Sequence, residues 1–243
     1  MTKITSHLVV LVIFCSFGIN THAQFSAGKI VYERKTNLYK KFKDQENIKD
    51  WIKEQDKNKV DVFELYFNDT LSVFKPQENG LREKMSWTTS KNIVYQNFKR
   101  NDRLTVRDIW GEQMYVEDSL YTRKWKITDS KRIIAGFSCR KAIWQANDST
   151  RIYAWYSDEI ITSTGPESFY GLPGAILGLA TEDGGVIYFA KTIEFSVPDM
   201  SSIVPKKGKN KIYTTAELQN KLEKQFGKED WGKAMINNMF GIW

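Results

Sequence analysis

The chain has 243 residues, 41% of them apolar and 14% aromatic, with a formal charge of +7. That suffices for a real core in one large domain or two small ones, and the aromatic and β-branched content leans towards β-structure. Beyond residue 23 there is no histidine and one cysteine, Cys139, which excludes Ser-His-Asp and Cys-His nucleophiles, histidine or four-cysteine zinc sites and an internal disulfide from that part of the chain.

Residues 1–23 read as a secretory signal. Lys3 precedes the apolar run 8–14, and Thr21 and Ala23 offer small residues at the two positions a signal peptidase reads. The run is too short for a comfortable membrane span. Phe14 before Cys15 argues against a lipoprotein anchor. Cleavage after Ala23 predicts a mature chain 24–243, a single β domain whose charge is +6 because Lys3 leaves with the signal. No other segment approaches the ~20 apolar residues of a membrane helix. The expected location is the periplasm or the outer envelope.

Along the chain, Ile30-Val31-Tyr32 predicts a first strand. Residues 42–59 carry Ile48, Trp51, Ile52 and Gln55, spaced for one short amphipathic helix or a polar insertion between strands. Val60 to Phe67 alternates, Asn68-Asp69 turns it, and Leu71 to Phe74 returns. Short runs at Ile93-Val94-Tyr95, Leu104-Thr105-Val106, Met114-Tyr115-Val116 and Trp125-Lys126-Ile127 follow, separated by polar turns. Strands at roughly ten-residue spacing predict a meandering antiparallel sheet or barrel. Residues 138–145 and 151–157 read as a hairpin through Asn147-Asp148, with both faces of the second strand apolar.

Residues 165–195 read as loop, tight turn, buried strand, hairpin and long strand. Leu172-Pro173-Gly174-Ala175 has the chemistry of a type II turn, with proline at the second position and glycine supplying positive φ at the third. Asp183-Gly184 signals a hairpin with a mirror-image turn. Residues 198–210 are polar. Thr214-Thr215-Ala216-Glu217 is a capping box opening a helix near 215–227, and 228–243 offers a second, shorter one.

Gly171-Leu172-Pro173-Gly174-Ala175-Ile176, preceded by Gly165, Pro166 and Phe169, resembles the signature of the GLPGLI family, exported Bacteroidetes proteins named after this motif. Ile134 to Ala142 and Tyr153 to Ser157 match a second block of it. Ala175 departs from the usual leucine. The resemblance covers about 125–195 and is consistent with a half-barrel like that of periplasmic lipoprotein carriers. It brings no mechanism with it.

Carboxylates are the remaining acid-base groups: Asp158, Glu159, Glu167, Glu182 and Asp183. Two of them could serve a glycosidase or a calcium ion, but strand ends and hairpin tips usually carry solvated acids. The glycine turn lacks the Lys-Ser/Thr of a phosphate loop. Cys139 reads as a small buried hydrophobe. Lys35, Lys40, Lys41 and Lys43 read as a solvated face. Trp144, Tyr153, Trp155 and Tyr170 are candidates to line a ligand groove, with core packing as the default.

The expectation is therefore a mainly β protein, an antiparallel curved sheet or open barrel with a C-terminal helix. No catalytic residue, metal ligand or cofactor site is assigned. The motif residues Gly165, Pro166, Phe169, Gly171, Leu172, Pro173, Gly174 and Ile176 are expected to form a structural turn or a docking surface. The expected function is non-enzymatic binding of an apolar ligand or envelope partner, not nucleic acid. A carboxylate-dependent hydrolase and a purely structural component are the alternatives.

Overall fold

The computed structural model describes residues 24–77, 84–196, 199, 204–205 and 209–241. The signal at 1–23 and most of the polar stretch 198–210 lie outside the described residues. Among the described residues one 12-stranded sheet is formed by β1 (Gly28–Asn37), β2 (Asn58–Phe67), β3 (Leu71–Pro76), β4 (Ile93–Asn97), β5 (Asp102–Ile109), β6 (Glu112–Ser119), β7 (Lys126–Ile134), β8 (Phe137–Asn147), β9 (Thr150–Ser157), β10 (Ala175–Thr181), β11 (Val186–Glu194) and β12 (Ile212–Tyr213).

The spatial order is β12-β6-β5-β4-β3-β2-β1-β11-β10-β9-β8-β7. Two antiparallel meanders, β1 to β6 and β7 to β11, are joined where β1 pairs with β11, and β12 adds in parallel to β6. The sheet is mainly antiparallel and open, as its strand spacing predicts, with β12 and β7 as its edges.

Alternation decides the faces. Ile30, Tyr32 and Arg34 on β1 point the same way as Asp61, Phe63 and Leu65 on β2, their cross-strand partners, and as Phe74 on β3. Phe63 stacks on Phe74 with ring centroids 4.8 Å apart, and both are fully buried. Each such ring contributes about 1.5–3 kcal/mol by leaving water. The sheet curls around this face. Arg107 of β5 and Trp144 of β8 line one cavity although their strands are eight positions apart in the sheet, roughly 38 Å if it were flat.

Two helices near the C-terminus, Thr215–Phe226 and Asp230–Phe240, cover the β5–β6 end of the inner face. Of the two readings of 42–59, the segment is the insertion between strands β1 and β2: after a single helical turn α1 (Leu38–Lys41) it holds one more, α2 (Glu46–Lys49), and a 3₁₀ turn at Glu54–Asp56, and no continuous helix. Pieces this short do not propagate on their own. They are held because Leu38, Phe42 and Ile52 share a small buried cluster, while Trp51 is left exposed. The C-terminal helix forms as predicted: α3 (Thr215–Phe226) carries the capping box, with Glu217 N–H donating to Thr214 Oγ1 at 3.2 Å and Thr214 N–H to Glu217 Oε2 at 2.8 Å. α4 (Asp230–Phe240) follows. Leu218, Leu222 and Ile236 pack on Ile109, Met114 and Val116.

Two turns differ from expectation. At 183–184 only Gly184 has positive φ, 68°, and its N–H donates to Thr181 O at 2.9 Å. This is a type I turn closed by a left-handed glycine, not a mirror-image turn. At 172–175 the Gly174 N–H donates to Leu172 O at 2.8 Å, and the Ala175 N–H goes to Ile160 O at 2.9 Å. Pro173 therefore centres a γ-turn, a tighter bend than type II. The Ala175 N–H is taken because residue 160 lies beside the entry to β10.

Candidate functional site

The centre of the inner face is polar. Arg34 sits directly across from Asp61 on β2 and from Tyr188 on β11. Its Nη2 donates to Asp61 Oδ2 at 2.7 Å, its Nη1 to the Tyr188 hydroxyl at 3.4 Å, and its guanidinium lies 4.6 Å over the Phe63 ring. Asp61 also accepts from Lys59 Nζ at 2.8 Å and from Thr89 Oγ1 at 2.9 Å, with Lys91 Nζ at 3.5 Å. Burial alone would raise the Asp61 pKa. Arg34 and Lys59 outweigh it and hold the carboxyl at about 2.

The loop 158–174 lays the motif region over this face. Phe25 pairs with Ile160, Thr162 Oγ1 donates to Ser26 O at 2.8 Å, and Ile176 N–H donates to Thr164 O at 2.8 Å. Gly165 is needed for close approach, because a Cβ there would lie 2.8 Å from Ile176 Cβ. Glu167 then adopts a φ of 54°, the left-handed region that costs a side chain about 1–2 kcal/mol. That conformation delivers its carboxylate inward. Glu167 Oε1 accepts from the Tyr188 hydroxyl at 2.8 Å and lies 3.7 Å from Arg34 Nη1. Burial raises the Glu167 pKa against the pull of Arg34.

Glu167 and Ser168 border a cavity of about 320 Å³. Asn92, just before β4, lines it too; β4 and β5 supply Val94, Arg103, Thr105 and Arg107; the β6–β7 connection supplies Tyr121 and Arg123; Trp144, Thr215 and the end of α4 complete it. Arg107 Nη1 donates to Met239 O at 2.9 Å, at the C-terminus of α4, where cations are favoured. Arg123 Nη1 donates to Ser168 O at 3.0 Å, and its guanidinium lies 4.1 Å over Phe169 and 5.1 Å over Trp144. Arg103 Nη2 lies 3.4 Å from Asp118 Oδ2. The Nε atoms of all three are buried without a partner among the described residues. Burial, and then Arg103 nearby, lowers Arg123 to about 10; burial lowers Arg107 too.

The residues singled out in sequence are dispersed. Phe169 is a buried plug whose ring centroid lies 6.4 Å from that of Trp125 and 6.1 Å from that of Trp144. Leu172, Gly174 and Ile176 are buried, as are Gly165 and Pro166, whereas Gly171 and Pro173 are exposed. Trp144 alone of the four candidate aromatics lines the cavity. Tyr153 and Trp155 sit side by side away from it, with Lys141 Nζ 3.7 Å over the first and Arg132 4.9 Å over the second. Tyr170 borders a separate opening beside Phe98. Among the acids, Glu182 holds Arg151 and the Tyr153 hydroxyl at a hairpin tip, and Glu159 accepts from Ser138 N–H. Glu167 is the one that reaches the cavity, among the described residues. Cys139 is fully buried, and burial pushes its thiol up to about 12.

Arg34, Asp61, Arg103, Arg107 and Arg123 were not among those candidates. For the strand residues one signal existed. Arg34 continues the two-residue spacing of Ile30 and Tyr32, and Asp61 precedes Phe63, Leu65 and Phe67 at the same spacing. A charge at a core position marks a buried polar site.

A family model described as "Protein of unknown function (Porph_ging)" matches residues 144–178. That span runs from Trp144 through the loop with Glu167 and Ser168 to Gly178, so it includes one wall of the cavity. No curated protein matches the chain in sequence. The solved structures similar to this fold include two of PNGF-II. One, titled "Structure of PNGF-II in C2 space group", is 15% identical with a TM-score of 0.53; the match covers 78% of this chain and 31% of that one. The other, "Structure of PNGF-II in P21 space group", is 14% identical with a TM-score of 0.51 and the same coverage. The chain thus spans about a third of the length of these proteins, and at such identities the likeness is one of fold.

Proposed function

We propose that this chain is an exported cell-envelope protein that acts as a non-enzymatic binding module, with the cavity between β5, the 158–174 loop and the end of α4 as its ligand site. The observation that carries this reading is the cavity's construction. Arg103 and Arg107 from β5, Arg123 from the β6–β7 connection, Glu167 from the 158–174 loop and Trp144 from β8 face one space of about 320 Å³. One of them, Glu167, is held there by a backbone conformation that side chains rarely adopt, and such strain concentrates at binding sites. Export is supported by the signal pattern of 1–23, and an envelope role by the resemblance of 171–176 to the GLPGLI motif.

The neighbouring inner face is filled by Tyr32, Phe63, Phe74 and Phe169, which favours a compact ligand over a bulky apolar cargo. The hydrolase alternative asks for two carboxylates flanking one bond. Asp61, which shares Arg34 with Glu167, has a fully buried side chain occupied by cations, and this favours binding over hydrolysis.

The test is native mass spectrometry of protein purified from the envelope fraction, beside an Asn92→Trp variant that puts a large side chain at a residue lining the cavity. The expected result is an N-terminus at Gln24 and a retained small-molecule mass that the variant lacks. Wild-type protein with no adduct, or equal retention by both, would overturn the reading.

A further inference from the structure

We propose that the cavity is an oxyanion site, in which Arg103, Arg107 and Arg123 grip a carboxylate or phosphoryl group of the ligand; this rests on the cavity being the binding site. β5 sets the first half of the grip. Arg103, Thr105 and Arg107 alternate along one strand, so all three face inward, with the arginines roughly 13 Å apart at their Cα atoms. Arg123 comes from the opposite wall, fixed by Ser168 and by the Phe169 ring.

The charges do not balance within the protein. Asp118, the carboxylate nearest Arg103, is committed to α3: it accepts Thr215 Oγ1 at 2.6 Å and Thr215 N–H at 3.1 Å. Glu167 is committed to Tyr188 and Arg34. Arg107 donates to a helix-end carbonyl and lies 5.6 Å over the Phe240 ring, with the charges of Glu167 and Asp118 favouring it, and Arg123 donates to two backbone carbonyls and a serine hydroxyl. Guanidinium groups withdrawn from water without a matching anion are costly, and their fork of donors fits a carboxylate or phosphate bidentately. Trp144 and Tyr121 add flat apolar walls beside the arginines, suited to the carbon skeleton that carries the anionic group.

Glu167 sets the orientation. Glu167 lies on the loop that holds Arg123 through Ser168; its negative charge keeps the anion off the carboxylate and accepts hydrogen bonds from hydroxyls, so the ligand has its anionic group on the arginines and a hydroxyl on Glu167. An acid sugar or a sugar phosphate has this polarity.

The test is thermal denaturation and isothermal titration of the mature chain with inorganic phosphate, acetate, D-glucuronate and glucose 6-phosphate, against sodium chloride at matched ionic strength. Saturable binding beyond the chloride control is expected, tighter for the two sugar compounds than for the bare anions. Preference for glucuronate assigns the carboxylate source, and preference for glucose 6-phosphate the phosphoryl source. Arg107→Gln and Arg123→Gln should each weaken binding at least tenfold. Arg103→Gln serves as a third variant should either of these fail to fold. No anion-dependent binding by wild-type protein, or equal affinity in folded variants, overturns the proposal. A neutral adduct retained in native mass spectrometry and blocked by Asn92→Trp would overturn the oxyanion assignment and leave the binding-module reading standing.

Discussion

Arg34 and Asp61 face each other across the β1–β2 ladder at 2.7 Å, with their side chains 5% and 0% exposed. Each is the other's nearest opposite charge in the middle of an aromatic core, with Phe63 under the guanidinium. A pair so placed adds little over an apolar pair of the same shape, but it is costly to break from one side.

Asp61→Ala is therefore expected to destabilise by about 3–5 kcal/mol, because it leaves Arg34, Lys59 and Lys91 around an empty centre. Arg34→Met combined with Asp61→Leu should lose much less. Urea denaturation of the two variants checks this. A single variant within 1 kcal/mol of wild type would mean that the lysines or water replace the pair without strain.

The two carboxylates of this network tilt stability with pH in opposite directions. Asp61 is held at about 2 in the folded state, below its ordinary value of 3.8. Its contribution, about 2 kcal/mol, is present above pH 4 and lost as pH falls towards 2. Glu167 has a raised pKa, so its contribution is present below pH 4.5 and lost as pH rises through its folded value. Melting temperature against pH from 2 to 8 should show an acid limb that Asp61→Asn flattens and a decline at higher pH that Glu167→Gln removes. A wild-type acid limb unchanged in Asp61→Asn would place the acid sensitivity elsewhere.

The fold was legible because strand spacing and helix capping are local, whereas the exact turn types were not, because the Ala175 N–H is claimed by Ile160 from outside its turn. Its site was not, because the arginines reverse the usual reading of an alternating strand. Leu104 and Val106 suggest a core face and Arg103 and Arg107 a wet one. In the folded sheet the apolar pair packs with Tyr95 and Tyr115 in a small cluster on the other face, and the arginines line the cavity within the curl. Which side of a strand becomes the inside depends on curvature and on what covers it, here α3, α4 and the 158–174 loop. None of that is encoded in the five residues themselves. The aromatic candidates were scattered for the same reason: Trp144 and Trp155 lie on neighbouring strands, and alternation sends them to opposite faces.

Cys139 offers a check on the core that is independent of mutation. It has no exposed surface, and its thiol is pushed up to about 12 by burial. Thiolate is the reactive form, so the native protein should be inert to a disulfide exchange reagent at pH 8 and release one equivalent after unfolding in guanidinium. Rapid labelling of the native protein would show that the β8–β9 region opens readily.

The motif turn makes the sharpest steric prediction. Gly174 has a φ of 143°, and a Cβ built there would lie 2.0 Å from the carbonyl oxygen of Ser157. Gly136, in the β7–β8 turn, also has positive φ, 87°, but a Cβ there meets nothing within 4 Å. Gly136→Ala should thus lose only the left-handed penalty, about 1–2 kcal/mol. Gly174→Ala must lose more, because Ser157 is the β9 partner of Ala175 and cannot retreat without opening the ladder. Leu172 is 2% exposed, so Leu172→Ala should cost about 2–5 kcal/mol. Urea midpoints for the three variants give the order. If Gly174→Ala proves no worse than Gly136→Ala, the turn moves freely against β9, and residues 171–176 must be read as a mobile surface rather than as the anchor of the loop that carries Glu167.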